Sequence, residues 1–320
     1  GAHRTAHILD RRQRPMCIRD STTIMPISRD FADHHQMISD LFPNLPARAA
    51  WDQYKLSEEQ LAFWEEYGYL HNIKLLETEQ VEQLRKDLAE IAEADHPKHD
   101  LFYEFHSNES EDSNTVLFHS LGHWRITRGF HDALWNPRFV VAASQLLGKR
   151  AVRFWHDQLF CKPAKHGGVV AWHQDYSYWT RTGPLQHLTC WCALDDASEA
   201  NGCLQYVPGS HRWPLLETTS LAGDMYGIEK GLNEEQKRQF ANKVAIEMPA
   251  GYGSFHHPKL LHGSYANSSD RSRRAFVLNV FADGTRANTN EVLLEGVPSV
   301  GEGNKMEGKY FPLLFDPAEV

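Results

Sequence analysis

Ala171-Trp172-His173-Gln174-Asp175-Tyr176 ends a short apolar run that starts at Val169. In an extended chain successive side chains point to opposite faces, so His173 and Asp175 share one face and Gln174 takes the other. The same period of two recurs outward from this stretch. Strands are expected over 152–161, 169–175, 187–194, 203–207, 244–248, 253–256 and 274–281, with Gly, Pro and Asn turns between them. Many short strands at this spacing indicate a sandwich or barrel. A double-stranded β-helix, the jelly-roll and cupin-like arrangement, suits the pattern, and it makes the chain mainly β with flanking N-terminal helices.

Before residue 151 the period is helical. Ser57 and Gln60 have the spacing of a capping box and open a helix over 56–67, which Gly68 ends. An extended piece over 69–76 follows. Thr78 is placed to cap a second helix in which Val81, Leu84, Leu88 and Ile91 form one stripe, and His96-Pro97 stops it. Residues 98–114 are polar and acidic and read as a surface loop bordering the active-site mouth. A third helical stretch over 128–147 breaks near Asn136-Pro137 and closes at Gly148.

Residues 1–46, rich in Arg, His, Asp and Pro, read as a poorly ordered or peripheral arm. Its arginines at 4, 11, 12, 14 and 19 suggest a transit peptide, but Asp10 and Asp20 interrupt them. Residues 47–320 read as one domain: a helical part over 56–148, a jelly-roll core over 151–283, and an insertion over 217–243 with a helix over 233–243. At 320 residues, 41% hydrophobic and 23% charged, the chain is long enough for one large core. A formal net charge of -9 excludes nucleic acid or an anionic membrane as main partner, because no excess of cation exists to neutralise phosphates. A small-molecule partner fits, with the protein a monomer or homodimer. Five cysteines, odd in number, argue against a disulfide framework and for a reducing compartment, the cytoplasm. No apolar run approaches the roughly 18 residues that cross a membrane.

With 19 histidines in the chain, one H-x-D is expected by chance about once, so the triplet gains meaning from its company. His173 and Asp175 supply two donors. A distant histidine brought back by the fold supplies the third, and the best candidate is His262, in His262-Gly263-Ser264. Two histidines and a carboxylate make the facial triad that leaves open positions on non-haem Fe(II) for a cosubstrate and O2. His256 is the strongest rival; it and His257 point to opposite sides of a strand, so only one of them faces a metal. Eleven residues after His262, Arg273 enters the apolar run of 274–281, where a cation is expensive unless it meets an anion. Gln158 and Asn279 stand as polar residues in apolar strands and need partners if buried, a polar cosubstrate or water. Cys190 and Cys192 read as small core residues. Trp172, Tyr176, Tyr178 and Trp179 read equally as substrate wall or as core.

The chain resembles the phytanoyl-CoA dioxygenase family of Fe(II)- and 2-oxoglutarate-dependent oxygenases. The matching residues are His173-Gln174-Asp175, the segment 201–211 (NGCLQYVPGSH), and His262-Gly263-Ser264 with an arginine eleven residues on; the likeness runs over about 56–315. It implies that Arg273 grips the distal carboxylate of 2-oxoglutarate, that Ser264 supports it, and that Trp191 lies beside the cosubstrate. It also implies oxidative decarboxylation to succinate and CO2, coupled to attack on a substrate C–H. Relatives that transfer halide replace the carboxylate ligand with a small residue; with Asp175 in place hydroxylation is expected. Two other readings stay open at this level, a cupin-like metalloenzyme without 2-oxoglutarate and a non-catalytic jelly-roll binding module. Arg273 separates the first reading from the metalloenzyme, which has no need of that cation.

Overall fold

The computed structural model describes residues 27–45 and 48–319. Residues 1–26, and with them the arginine-rich stretch, lie outside the described residues. The part of the expected arm that is described, 27–45, is docked rather than loose. Phe31, Ala32 and Phe42 are buried, and the buried carboxylate of Asp132 accepts the backbone N–H groups of Ile38 and Ser39, both at 2.8 Å. Sequence periodicity missed this contact because one distant carboxylate, not a repeat, makes it. Asp132→Ala leaves two half-buried donors without their acceptor, so it should lower unfolding free energy by about 1–2 kcal/mol, read by urea denaturation; an unchanged midpoint would show that the arm adds nothing.

The first half carries α1 (Arg48–Trp51), α2 (Glu58–Tyr67), β1 (Tyr69–Lys74), α3 (Thr78–Ile91), β2 (Glu104–His106), β3 (Phe118–Leu121), α4 (Arg128–Ala133) and α5 (Pro137–Leu146). The Ser57–Gln60 capping box opens α2, and Gly68 ends it at φ +80°, a left-handed conformation that glycine adopts without strain. In α3 the cap is Glu77, one residue before Thr78, because the carboxylate of Glu77 and the amide of Gln80 satisfy each other's backbone N–H groups. Asn136 caps α5 with Pro137 at its first position, where the missing N–H costs nothing.

From residue 152 the chain forms β4 (Val152–Lys162), β5 (Val170–His173), β6 (Thr182–Gly183), β7 (His187–Ala193), β8 (Leu204–Tyr206), α6 (Glu234–Phe240), β9 (Val244–Ile246), β10 (Tyr252–His256), β11 (His262–Ser264), β12 (Arg273–Ala282), β13 (Arg286–Ala287) and β14 (Leu313–Phe315). A large sheet runs β1-β10-β7-β12-β4-β3-β2 with β14 also on β4, and a small one runs β5-β11-β8-β9; β6 and β13 make a separate ribbon. This is the double-stranded β-helix, built as two open sheets rather than a closed barrel. Among the described residues six strands arise where none was expected, the short β6, β13 and β14 and three others. β2 falls inside the segment read as a loop, β3 lies just beyond it, and β11 is only His-Gly-Ser, too short for periodicity to detect.

The large sheet is covered on both faces, which is why its central strands read as nearly unbroken apolar runs. Phe276, Leu278 and Val280 of β12, with Leu188, Cys190 and Cys192 of β7, pack into the helical core. Ala275 and Val277, with Trp191 and Ala193, pack toward the small sheet. On that inner face stand the exceptions to apolar composition, among them Thr189, Gln158, Lys162 and Arg273, all buried but Gln158.

Candidate active site

β5 and β11 lie antiparallel with His173 opposite His262. The strand ends at His173, earlier than expected, and Asp175 begins a short 3-10 turn. The two side chains still share a face because Gln174 keeps extended dihedrals, φ -112° and ψ 128°. The Gln174 side chain turns away, donating to Lys259 O at 3.0 Å and accepting the N–H of Leu216 at 2.7 Å. Asp175 Oδ1 lies 3.2 Å from His173 Nε2 and 3.4 Å from His262 Nε2. Donor atoms of the three residues all fall within 4.8 Å of one another. Two donors about 2.1 Å from a metal on neighbouring octahedral positions are about 3.0 Å apart, so the spacing fits a facial set on one ion.

Hydrogen bonds fix the ring tautomers. His173 Nδ1 donates to Ala171 O at 2.7 Å and His262 Nδ1 to Leu260 O at 2.8 Å, which leaves each Nε2 with its lone pair facing the site. Asp175 Oδ2 is held from behind by Thr189 Oγ1 at 2.7 Å and by His256 Nε2 at 2.9 Å, while His256 Nδ1 meets the Tyr206 hydroxyl at 2.9 Å. Both nitrogens of His256 are therefore engaged, and this rival histidine orients the carboxylate. Burial pushes the Asp175 carboxyl up, but His262, His173 and His256 around it outweigh burial and hold it well below the usual carboxylate range. Sequence reasoning missed Thr189 and weighed His256 only as a rival ligand, since nothing local links either to residue 175. Loss of a hydrogen bond to a metal-binding carboxylate weakens metal affinity by about 10- to 100-fold. Thr189→Val should do the same in a competitive chelator titration; unchanged affinity would assign Thr189 to packing.

Beside the triad opens a cavity of about 840 Å³, counting its mouth. Arg273, Ser264, Trp191 and Gln158 line it with the three triad residues. Asn279 does not; its Nδ2 donates to Gln158 Oε1 at 3.1 Å and lies 3.3 Å from His156 Nδ1. Arg273 is almost fully buried, with its guanidinium carbon 5.3 Å from the Trp191 ring centre. Its Nε has no hydrogen-bonding partner among the described residues. The nearest influential carboxylate, Asp195, is spent on Arg274 and Arg85. Burial pushes the Arg273 guanidinium down to about 10, still charged at neutral pH. Ser264 Oγ donates its proton to Gly202 O at 2.7 Å and accepts from Lys162 Nζ at 2.6 Å.

The aromatic group divides. Tyr178 and Trp179 line the cavity, whereas Trp172 is fully buried against Phe240 outside it, and Tyr176, in the same cluster as Tyr178 and Trp179 but off the cavity, donates to Thr182 O at 2.9 Å. From the 98–114 loop Glu109 reaches the cavity wall, its Oε2 2.7 Å from His119 Nδ1. His119 stacks on Phe160 with ring centres 4.5 Å apart. The insertion contributes Leu221, whose carbonyl accepts the N–H of Ala171 at 2.7 Å.

Comparison with known proteins places this geometry in a family. The model for phytanoyl-CoA dioxygenase (PhyH) matches residues 64–275. A phytanoyl-CoA dioxygenase of Arabidopsis thaliana is 32% identical over 151 residues, 47% of this chain and 52% of that protein. Phytanoyl-CoA dioxygenase 1 of Oryza sativa subsp. japonica is 26% identical over 254 residues, 70% of this chain and 89% of that one. Against the first curated relatives the chain spans about half of their length. The epimerase SnoN, solved in complex with Fe3+, alpha ketoglutarate and nogalamycin RO, superposes with a TM-score of 0.65 at 22% identity, covering 84% of this chain and 100% of that one, a likeness of fold. With its H-x-D triplet and distant histidine gathered on one cavity, the chain belongs to the phytanoyl-CoA dioxygenase family.

Proposed function

We propose that the chain is an Fe(II)- and 2-oxoglutarate-dependent oxygenase that hydroxylates an aliphatic C–H of a small molecule, releasing succinate and CO2. The observation that carries the reading is Arg273, a buried cation with no ion-pair partner among the described residues, lining the same cavity as an open-sided His-Asp-His set. Such a cation is tolerated in an apolar interior when a ligand brings the countercharge. His173, Asp175 and His262 would hold Fe(II), and when bound the metal with 2-oxoglutarate supplies the activation of O2.

The residues of the chain divide the remaining work. Arg273 holds the distal carboxylate of 2-oxoglutarate, and Trp191 packs beside the cosubstrate. Thr189 and His256 fix the Asp175 carboxylate so that Oδ1 alone faces the metal position. Tyr178, Trp179 and Leu221 wall the mouth with apolar surface, which keeps water out and seats the apolar part of a substrate. Asp175 fills the position that a halide would need, and its charge opposes a second anion there. Among the described residues no helix is long and apolar enough to cross a membrane, and the four described cysteines are unpaired, which supports a reducing compartment, the cytoplasm.

The test is a substrate-library screen that reads 2-oxoglutarate-dependent succinate release under 18O2 in chloride buffer. One compound should accelerate succinate release and gain one labelled oxygen. A chlorinated product, or turnover indifferent to 2-oxoglutarate, rejects the reading.

A further inference from the structure

Lys162 ends β4 directly opposite Arg273 on β12. Both side chains are almost fully buried, at 0% and 1% exposure. Like charges opposed across a ladder repel even at a surface, and burial magnifies the repulsion. Among the described residues no acid pairs with either of them: the carboxylate that Arg273 feels, Asp195, is paired with Arg274 and Arg85. Lys162 is nevertheless fastened in place. Its Nζ donates to Ser264 Oγ at 2.6 Å, Ser264 O at 3.2 Å and Tyr265 O at 2.5 Å. Three oxygens around one nitrogen require three N–H groups, because the Ser264 proton is already given to Gly202 O; that is the donor count of an ammonium. Burial, and after it the charge of Arg273, push the ammonium the other way, well below its ordinary range. The chain is shaped to admit this contact. Gly202 sits at φ +81°, and a Cβ there would collide with Tyr265 O and lie 3.3 Å from Lys162 Nζ.

We propose that Lys162 is a second cation of the cosubstrate site, a positioning residue that orients the Ser264 hydroxyl and adds its charge to that of Arg273 toward one carboxylate. The inference rests on the 2-oxoglutarate reading above and goes beyond it in two respects. It makes Ser264 an intermediary whose proton points to Gly202 O, so the attraction for the anion comes from the lysine behind it. It also explains why two adjacent cations persist in an apolar interior: the ligand, not the protein, carries their countercharge.

Calorimetric titration of the anaerobic Fe(II)-loaded full chain with 2-oxoglutarate and with 2-oxobutyrate tests this, since 2-oxobutyrate keeps the keto acid end and lacks the distal carboxylate. Lys162→Met should weaken 2-oxoglutarate by roughly tenfold to hundredfold and 2-oxobutyrate by less than about threefold, because the charge behind Ser264 acts on the distal carboxylate that only 2-oxoglutarate carries. Lys162→Gln keeps N–H donors for Ser264 without the charge, and should show the same selective loss if the Met variant does not fold. Equal weakening of both ligands, or no weakening, overturns the role of Lys162. If the wild-type chain itself fails to prefer 2-oxoglutarate over 2-oxobutyrate, the cosubstrate assignment fails first and this one with it.

Discussion

His262→Ala should leave a folded chain that retains no stoichiometric Fe(II) and releases succinate at least about 10³-fold more slowly, because one of three donors on a labile ion is gone. His256→Ala should cost less, about 10- to 100-fold in metal affinity, since it removes a support of Asp175 and no donor atom. The contrast matters because the two histidines are neighbours, with ring centres 4.2 Å apart. Their hydrogen bonds tell them apart: His262 spends only Nδ1, on Leu260 O, while His256 spends both nitrogens, on Asp175 and Tyr206. Iron content after anaerobic reconstitution and gel filtration reads the difference. Iron kept by the His262 variant and lost by the His256 variant would reverse the assignment.

How much of this was legible in the chain depends on the range of the interaction. The His173–Asp175 pair was readable because one extended residue, Gln174, sets the geometry, and it stays extended although the strand has already ended. The Ser57–Gln60 box was readable for the same reason, being a contact between residues three apart. Thr78 misled by one position because Glu77 competes for the same cap and wins through Gln80. What resisted reading was carried by single long-range contacts. Thr189 and His256 reach Asp175 from 14 and 81 residues away, and Asp132 clamps Ile38 from 94 residues away. Lys162 left a signal, a lysine ending an apolar strand, but its meaning needed the register that sets it against Arg273. Asn279 shows the reverse case: polarity in an apolar strand flagged it, and it does not line the cavity but donates to Gln158, which does.

Arg273→Lys should raise the dissociation constant for 2-oxoglutarate by about tenfold to hundredfold although it conserves charge, and Arg273→Leu should raise it further. The planar guanidinium offers paired N–H donors that match both oxygens of a carboxylate, whereas an ammonium is a point charge that meets one. At this site the difference is not diluted by water, because the residue is 1% exposed and its Nε has no partner to fall back on among the described residues. The shorter lysine would also leave part of the space over the Trp191 ring unfilled, a contact the guanidinium makes at 5.3 Å. Arg274→Lys is the control: its neighbour on β12 points to the other face and pairs with Asp195 at 2.7 Å, so 2-oxoglutarate affinity should stay within about threefold of wild type, as expected of an ion pair outside the site. Equal affinities for the Arg273→Lys variant and the wild type would mean that the carboxylate is met elsewhere in the cavity. Selective loss at Arg273 but not at Arg274 ties the affinity to one face of the strand, the face that lines the same cavity as the triad.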